Sequence, residues 1–137
     1  MKEDCIFCKI AKGEIHSATV YEDSHFTVIL DVNPATKGHC LIIPKEHFDN
    51  IYDLDGETDG KLFALATCIA RAMKDALKCD GLNLVQNNGE VAGQTVNHFH
   101  LHLIPRYEGD GLNLNWPQQE ISGEQLEEIR QSIKKSI

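Results

Sequence analysis

Apolar positions along the chain alternate with polar ones in short stretches and recur at helical spacing in others, and the switches between the two periods mark its elements. Thr19–Glu22 and His25–Asp31 carry β-branched and aromatic residues on either side of Asp23-Ser24, so they read as two strands around a turn. His39–Lys45 is a third strand, preceded by Pro34 and Gly38 and punctuated at its end by Pro44. Leu62, Leu65, Ala66, Ile69, Met73, Ala76 and Leu77 recur at three- and four-residue spacing, which predicts a long amphipathic helix over 58–78, stopped near Gly81. Leu82–Asn87 and the strictly alternating Val96–Pro105 are two further strands, joined by a glycine-bearing connection over 88–93.

Two short helices frame this set. Residues 5–12 form one that ends at Gly13, a residue suited to a left-handed cap. Ser122-Gly123-Glu124-Gln125 has the form of a capping box and opens a helix over 122–137. Leu126, Ile129, Ile133 and Ile137 share one face of it, with acid early and Lys134 and Lys135 late, as the helix dipole favours. Clustered strands with a single long helix between the third and fourth predict an α+β fold with an antiparallel sheet. We expect a single domain over 1–137, with helix 122–137 as an extension.

Composition narrows the function classes. Of 137 residues, 42% are apolar and 25% charged, which fits a folded globular chain able to build a core without staples. Thirteen basic against twenty-one acidic residues give a net charge of −8, which disfavours both nucleic acid and anionic membrane surfaces. The longest apolar runs, such as Cys40–Ile43, fall far short of the ~20 residues a spanning helix needs. The opening residues MKEDCIFCKI carry acid where a signal peptide has its apolar stretch. With five cysteines, an odd number, the expectation is a reduced, cytoplasmic protein. Cys40, Cys68 and Cys79 are expected to be buried apolar residues.

The most informative stretch is His98-Phe99-His100-Leu101-His102-Leu103-Ile104. On a strand, a period of two places the three imidazoles on one face and Phe99, Leu101 and Leu103 on the other. The apolar side is the core side. The outer two histidines of such a row lie about 13 Å apart along a strand, too far for all three to share one ion with bonds of about 2.1 Å. Imidazoles so aligned suit phosphoryl chemistry instead: one neutral ring attacks phosphorus while its neighbours donate to the phosphoryl oxygens. Gly93-Gln94-Thr95, just upstream, offers backbone and a hydroxyl to the same oxygens.

A second constellation is Cys5-Ile6-Phe7-Cys8, whose spacing suits either zinc thiolates or a redox pair. No strand precedes Cys5, which weakens the redox reading. His47, after the third strand, and His98 would complete a closed Cys₂His₂ set with Cys5 and Cys8.

The run from Gly93 to Ile104 resembles the histidine triad (HIT) signature of nucleotide hydrolases and transferases, and Asp31-Val32-Asn33-Pro34, Lys37-Gly38-His39 and Ile43-Pro44-Lys45-Glu46-His47 extend the likeness. The chain is most similar to the Hint branch in its bacterial form. The resemblance implies a five-stranded antiparallel sheet in each subunit and a homodimer whose sheets join across the long helix and a strand. It implies His100 as nucleophile, with the carbonyl near His98 fixing its tautomer, His102 assisting the leaving group and His39 supporting the triad. It places Asp31 on the ribose hydroxyls, Phe7, Ile10 and Val32 near the base, and Asn87 and Thr95 along the phosphates, with Gln94 also among the nucleotide-binding residues. It also strengthens zinc as a structural ion held by Cys5, Cys8, His47 and His98.

The function so implied is cleavage at the α-phosphate of purine nucleoside phosphoramidates or related nucleotide conjugates, through a nucleotidyl-histidine. Two alternatives accompany it. The Leu103-Ile104-Pro105-Arg106 ending resembles dinucleoside polyphosphate hydrolases of the diadenosine tetraphosphate type, against which stand Asn87 and the cysteine pair. A nucleotide-sensing interaction protein would use the pocket without turnover. Trp116-Pro117 resembles a Hint-branch tail that reaches the partner's nucleotide site, and serves equally as a packed loop anchor.

Overall fold

The computed structural model describes residues 2–137. Its elements are helix α1 (Ile6–Ala11), strands β1 (Thr19–Glu22), β2 (Phe26–Leu30) and β3 (Cys40–Pro44), helix α2 (Gly56–Leu77), strands β4 (Gly81–Val85) and β5 (Leu101–Arg106), and helix α3 (Gly123–Ser136). The strands form one antiparallel sheet in the order β1-β2-β3-β5-β4. The α+β expectation and its five strands hold.

All of β3 is buried, because the sheet is covered on both faces there. Cys40 and Ile42 join Phe26, Val28, Leu101 and Leu103 under Leu62, Ala66, Ile69 and Met73 of α2. Leu41 and Ile43 point the other way and pack with Ile29, Cys5, Phe7 and Cys8 of the N-terminal segment. Period-two alternation in β3 thus separates a helix-covered core from a second layer that carries the chemistry. His102 pairs with Leu41 in the ladder, so it stands on that second layer.

Local signals explain the ends of the elements. The Asp55 carboxylate accepts from Thr58 N at 2.7 Å and caps α2, which therefore begins two residues earlier than its apolar spacing suggests. Its stop is Lys78, in the left-handed region at φ 54°, while Gly81 is already the first residue of β4. Gly38 turns the chain into β3 at φ 96°, and a Cβ there would lie 2.5 Å from Leu77 Cδ1. Only glycine fits that crossing.

The fifth strand departs from the sequence pattern. The alternation predicts strand from Val96, yet the ladder begins at Leu101. Over 96–100 the side chains still alternate, with Phe99 in the helix-side core, but the His98 carbonyl accepts a side-chain N–H from His100 at 2.7 Å. Helix α3 forms with its capping box intact, and none of its residues is buried against this chain. Cys40 is buried as expected, whereas Cys68, off the apolar stripe of α2, is exposed and Cys79, in the turn between α2 and β4, is only half-buried. No helix among the described residues is long and apolar enough to cross a membrane.

Leu103 is fully buried at the centre of the helix-side core. Leu103→Ala is expected to lower the unfolding free energy by about 2–5 kcal/mol through the cavity it leaves. Asp55→Ala should cost only about 1 kcal/mol, the worth of a cap. Urea titrations with an unchanged m-value check both.

Candidate active site

The second layer brings five imidazoles and two carboxylates together along the β3–β5 seam, and the hydrogen bonds around each ring leave it one proton position. His100 is buried, and its Nδ1 faces the His98 carbonyl at 2.7 Å. A carbonyl can only accept, so Nδ1 carries the proton and Nε2 keeps its lone pair. Burial lowers the pKa of His100, which holds the ring neutral at physiological pH. The edge of Phe7, from α1, closes on this ring with centroids 5.0 Å apart.

His102 is set by a relay in the opposite sense. Ala35 N donates to His39 Nδ1 at 3.0 Å, so the proton of neutral His39 sits on Nε2. That N–H donates to His102 Nδ1 at 2.9 Å, which leaves His102 with its proton on Nε2. Burial, aided by the neighbouring His100 and His39, pushes the His102 pKa down to about 4. Two adjacent rings, with centroids 4.9 Å apart, therefore offer opposite groups: a lone pair on His100 and a donor on His102. Asp31 lies 3.9 Å from His39 Nε2, and its Oδ1 accepts from Asn33 N, which fixes the turn after β2.

His98 belongs to a different group. Its Nε2 donates to Pro44 O at 2.7 Å, and His47 Nε2 donates to Asp49 Oδ1 at 2.7 Å. Both rings thus turn a bare Nδ1 inward, 3.1 Å apart. Cys5 Sγ lies 3.3 Å and Cys8 Sγ 3.5 Å from His98 Nδ1, and Cys8 Sγ is 3.3 Å from His47 Nδ1. The four donor atoms all lie within 4.8 Å of one another. A tetrahedral zinc with bonds of 2.0–2.3 Å has donor-to-donor edges of about 3.4–3.8 Å, close to these separations. Two imidazole lone pairs facing each other beside two thiols repel unless a cation or a thiol proton lies between them. The donor set fits a soft divalent metal, with no coordination position left open.

The remaining predicted residues are placed less uniformly. Ile10 packs against the second layer, and Val32 is 85% exposed beside Asp31. Thr95 is exposed, and Asn87 Nδ2 donates weakly to Gly93 O at 3.5 Å. Gln94 differs from its expected place along the phosphates. Its Nε2 donates to Asp49 O and Val96 O, and its Oε1 accepts from Gly89 N, so its amide is spent bracing the 89–96 loop. Trp116 is 80% exposed, so it anchors no loop within this chain.

Asp49 and the Pro44 carbonyl escaped sequence reasoning, although they decide which nitrogen each ligand histidine presents. The His47-x-Asp49 spacing was the available signal for the first. Nothing local marks a carbonyl acceptor for the second.

This arrangement has counterparts in known proteins. The HIT domain model matches residues 12–109. A solved HIT family protein from Bacillus anthracis is 46% identical, with 100% of this chain and 99% of that one covered and a TM-score of 0.93. The adenosine 5'-monophosphoramidase HNT1 of Saccharomyces cerevisiae is 42% identical, covering 94% of this chain and 80% of its own. A crystal structure of a Zn-bound histidine triad family protein from Mycobacterium smegmatis is 39% identical, covers 98% of each chain and has a TM-score of 0.77. The triad, the elements that present it and the length over which these relatives match establish that the chain belongs to the HIT, or histidine triad, family.

Proposed function

We propose that the protein is a nucleotide hydrolase that cleaves purine nucleoside phosphoramidates at the α-phosphorus through a nucleotidyl-His100 intermediate. The observation that carries this reading is the pair of opposite tautomers, a bare Nε2 on His100 beside an N–H on His102. His100 Nε2 forms the bond to phosphorus while the bond to the leaving nitrogen breaks, its electrons staying on nitrogen. His102 Nε2–H gives its proton to the leaving nitrogen, where charge develops, so the amine departs neutral. Water then displaces the imidazole and passes a proton back to His102 Nε2, and His100 recovers its lone pair as the nucleoside monophosphate departs. Asp31 holds the ribose hydroxyls, Phe7, Ile10 and Val32 border the base, and Asn87 and Thr95 line the phosphates. The similarity to an adenosine 5'-monophosphoramidase supports the substrate class.

We further propose that Cys5, Cys8, His47 and His98 hold a structural zinc ion, supported by the converging donors and by the Zn-bound relative. A symmetric homodimer is also proposed. Phe63 on α2, Leu84 on the edge strand β4, and Trp116 are exposed apolar residues of the kind a partner covers.

Five outcomes are expected. His100→Ala should lower kcat on an adenosine phosphoramidate by about a thousandfold or more and keep nucleotide affinity within about tenfold. Wild-type kcat/KM should be higher on that substrate than on a diadenosine polyphosphate; the reverse order would assign the substrate to the dinucleotides. Metal analysis should find one zinc per chain in reduced wild-type protein and none in Cys8→Ala, with a lower Tm, because the energy of a closed metal site is folding energy. Light scattering should show a dimer at micromolar concentration. In that dimer, Trp116→Ala should alter discrimination among leaving groups more than it alters nucleoside monophosphate affinity.

A further inference from the structure

We infer that His98 is a positioning residue that ties the Cys5–Cys8–His47 cluster to the orientation of His100, so that an intact cluster holds the nucleophile in its reactive tautomer. The inference rests on the proposed zinc and nucleophile, and goes beyond a purely structural ion.

His98 uses three of its polar groups in three directions. Its Nδ1 turns to the two sulfurs and His47, its Nε2 donates to Pro44 O, and its carbonyl accepts the proton of His100 Nδ1. The ring and the carbonyl hang from one Cα, so a shift of the ring moves the near end of the peptide unit that carries the carbonyl. That peptide unit has two anchors, the His98 ring at its near end and the Phe99 N–H at its far end. The ladder to β3 starts at Leu101, and the main-chain bond from Phe99 N to Phe48 O, 2.6 Å, is the nearby tether. A residue outside the sheet is held by its side chain, and the His98 ring is wholly buried in the cluster.

A second path runs through α1. Cys5 caps this six-residue helix and Cys8 lies within it. Phe7, between them, packs edge-on against both His98, at 5.9 Å, and His100, at 5.0 Å. The same two sulfurs that join the cluster thereby seat the ring that flanks the nucleophile. If the cluster loosens, both the acceptor for His100 Nδ1 and the wall beside its ring are released. His100 then populates the other tautomer, with Nε2 protonated and unable to attack.

The test uses full-length wild-type protein stripped of metal by a chelator, then titrated with zinc alone. Circular dichroism verifies that the stripped protein remains folded, and ¹⁵N NMR of labelled histidine reports the His100 tautomer directly. The expected result is a single Nδ1–H tautomer at one zinc per chain and a tautomer mixture in the stripped protein. In parallel, kcat should fall about tenfold on stripping, with KM little changed, and return with zinc. Asp49→Asn provides a variant that leaves all four donors in place. It should need more zinc to reach the same single tautomer and the same kcat. A stripped, folded protein whose His100 keeps the single tautomer and full kcat would overturn the coupling while leaving the zinc and nucleophile assignments intact. Failure of the wild-type protein to bind zinc would instead overturn the zinc assignment and the coupling with it. Loss of the nucleotidyl-His100 intermediate in zinc-loaded wild type would overturn the proposed mechanism, a result separable from both.

Discussion

A neutral imidazole has one proton and two nitrogens, and the site depends on where four neighbours force that proton to sit. The carbonyls of His98 and Pro44 and the carboxylate of Asp49 only accept, while Ala35 N only donates. From these four constraints follow a bare Nε2 on His100, a donor on His102 and two bare Nδ1 atoms facing the thiols. Burial reinforces them by disfavouring the charged ring, since a doubly protonated imidazole would present a donor to every neighbour. One residue type therefore offers a bare lone pair, a donor and two nitrogens facing thiols, and the acceptor or donor beside each ring sets the distinction.

The sheet makes this possible by being buried on both faces at β3. A strand with a solvated outer face would leave its imidazoles hydrated, with ordinary protonation and free rotation. Here Leu41 and Ile43, with α1 laid across them, exclude water from the seam on which His100 and His102 stand. The short α1 is too brief to be stable by its own hydrogen bonds. Packing of Phe7 and the contacts of Cys5 and Cys8 hold it, so the second layer is kept in place by the same residues that define the chemistry.

Much of this was legible in the residues themselves. The succession of strands and helices, the α2 stripe and the capping box of α3 follow from spacing and local chemistry, and Cys5, Cys8, His47 and His98 do converge despite lying far apart in sequence. The row of three histidines also divides as its length requires, with His98 and His102 in separate clusters and His100 in neither. Alternation misjudged the start of β5, because a side-chain N–H takes the carbonyl that a ladder would use. The same blindness applies to Gln94. A glutamine beside a threonine and a glycine looks free to meet phosphate, and only the fold reveals that three backbone groups already claim its amide. Patterns report which face a side chain takes; they do not report which partners reach it first.

The unburied apolar surface is distributed in a way that bears on assembly. Leu126, Ile129, Ile133 and Ile137 form a row on α3, and this chain buries none of them. A fourteen-residue helix in water gains little from propensity, even with a capping box and a favourable charge order. Packing of its apolar face is the usual source of such a helix's stability, and this chain leaves that face exposed. Phe63 and Trp116, which the seam does not use, add to the same unspent surface. The catalytic layer is complete in its hydrogen bonds within one chain, whereas the apolar burial of α2, β4 and the C-terminal segment is not. Chemistry and assembly thus draw on different faces of the same sheet, and the second can change without disturbing the ring protons on which the first depends.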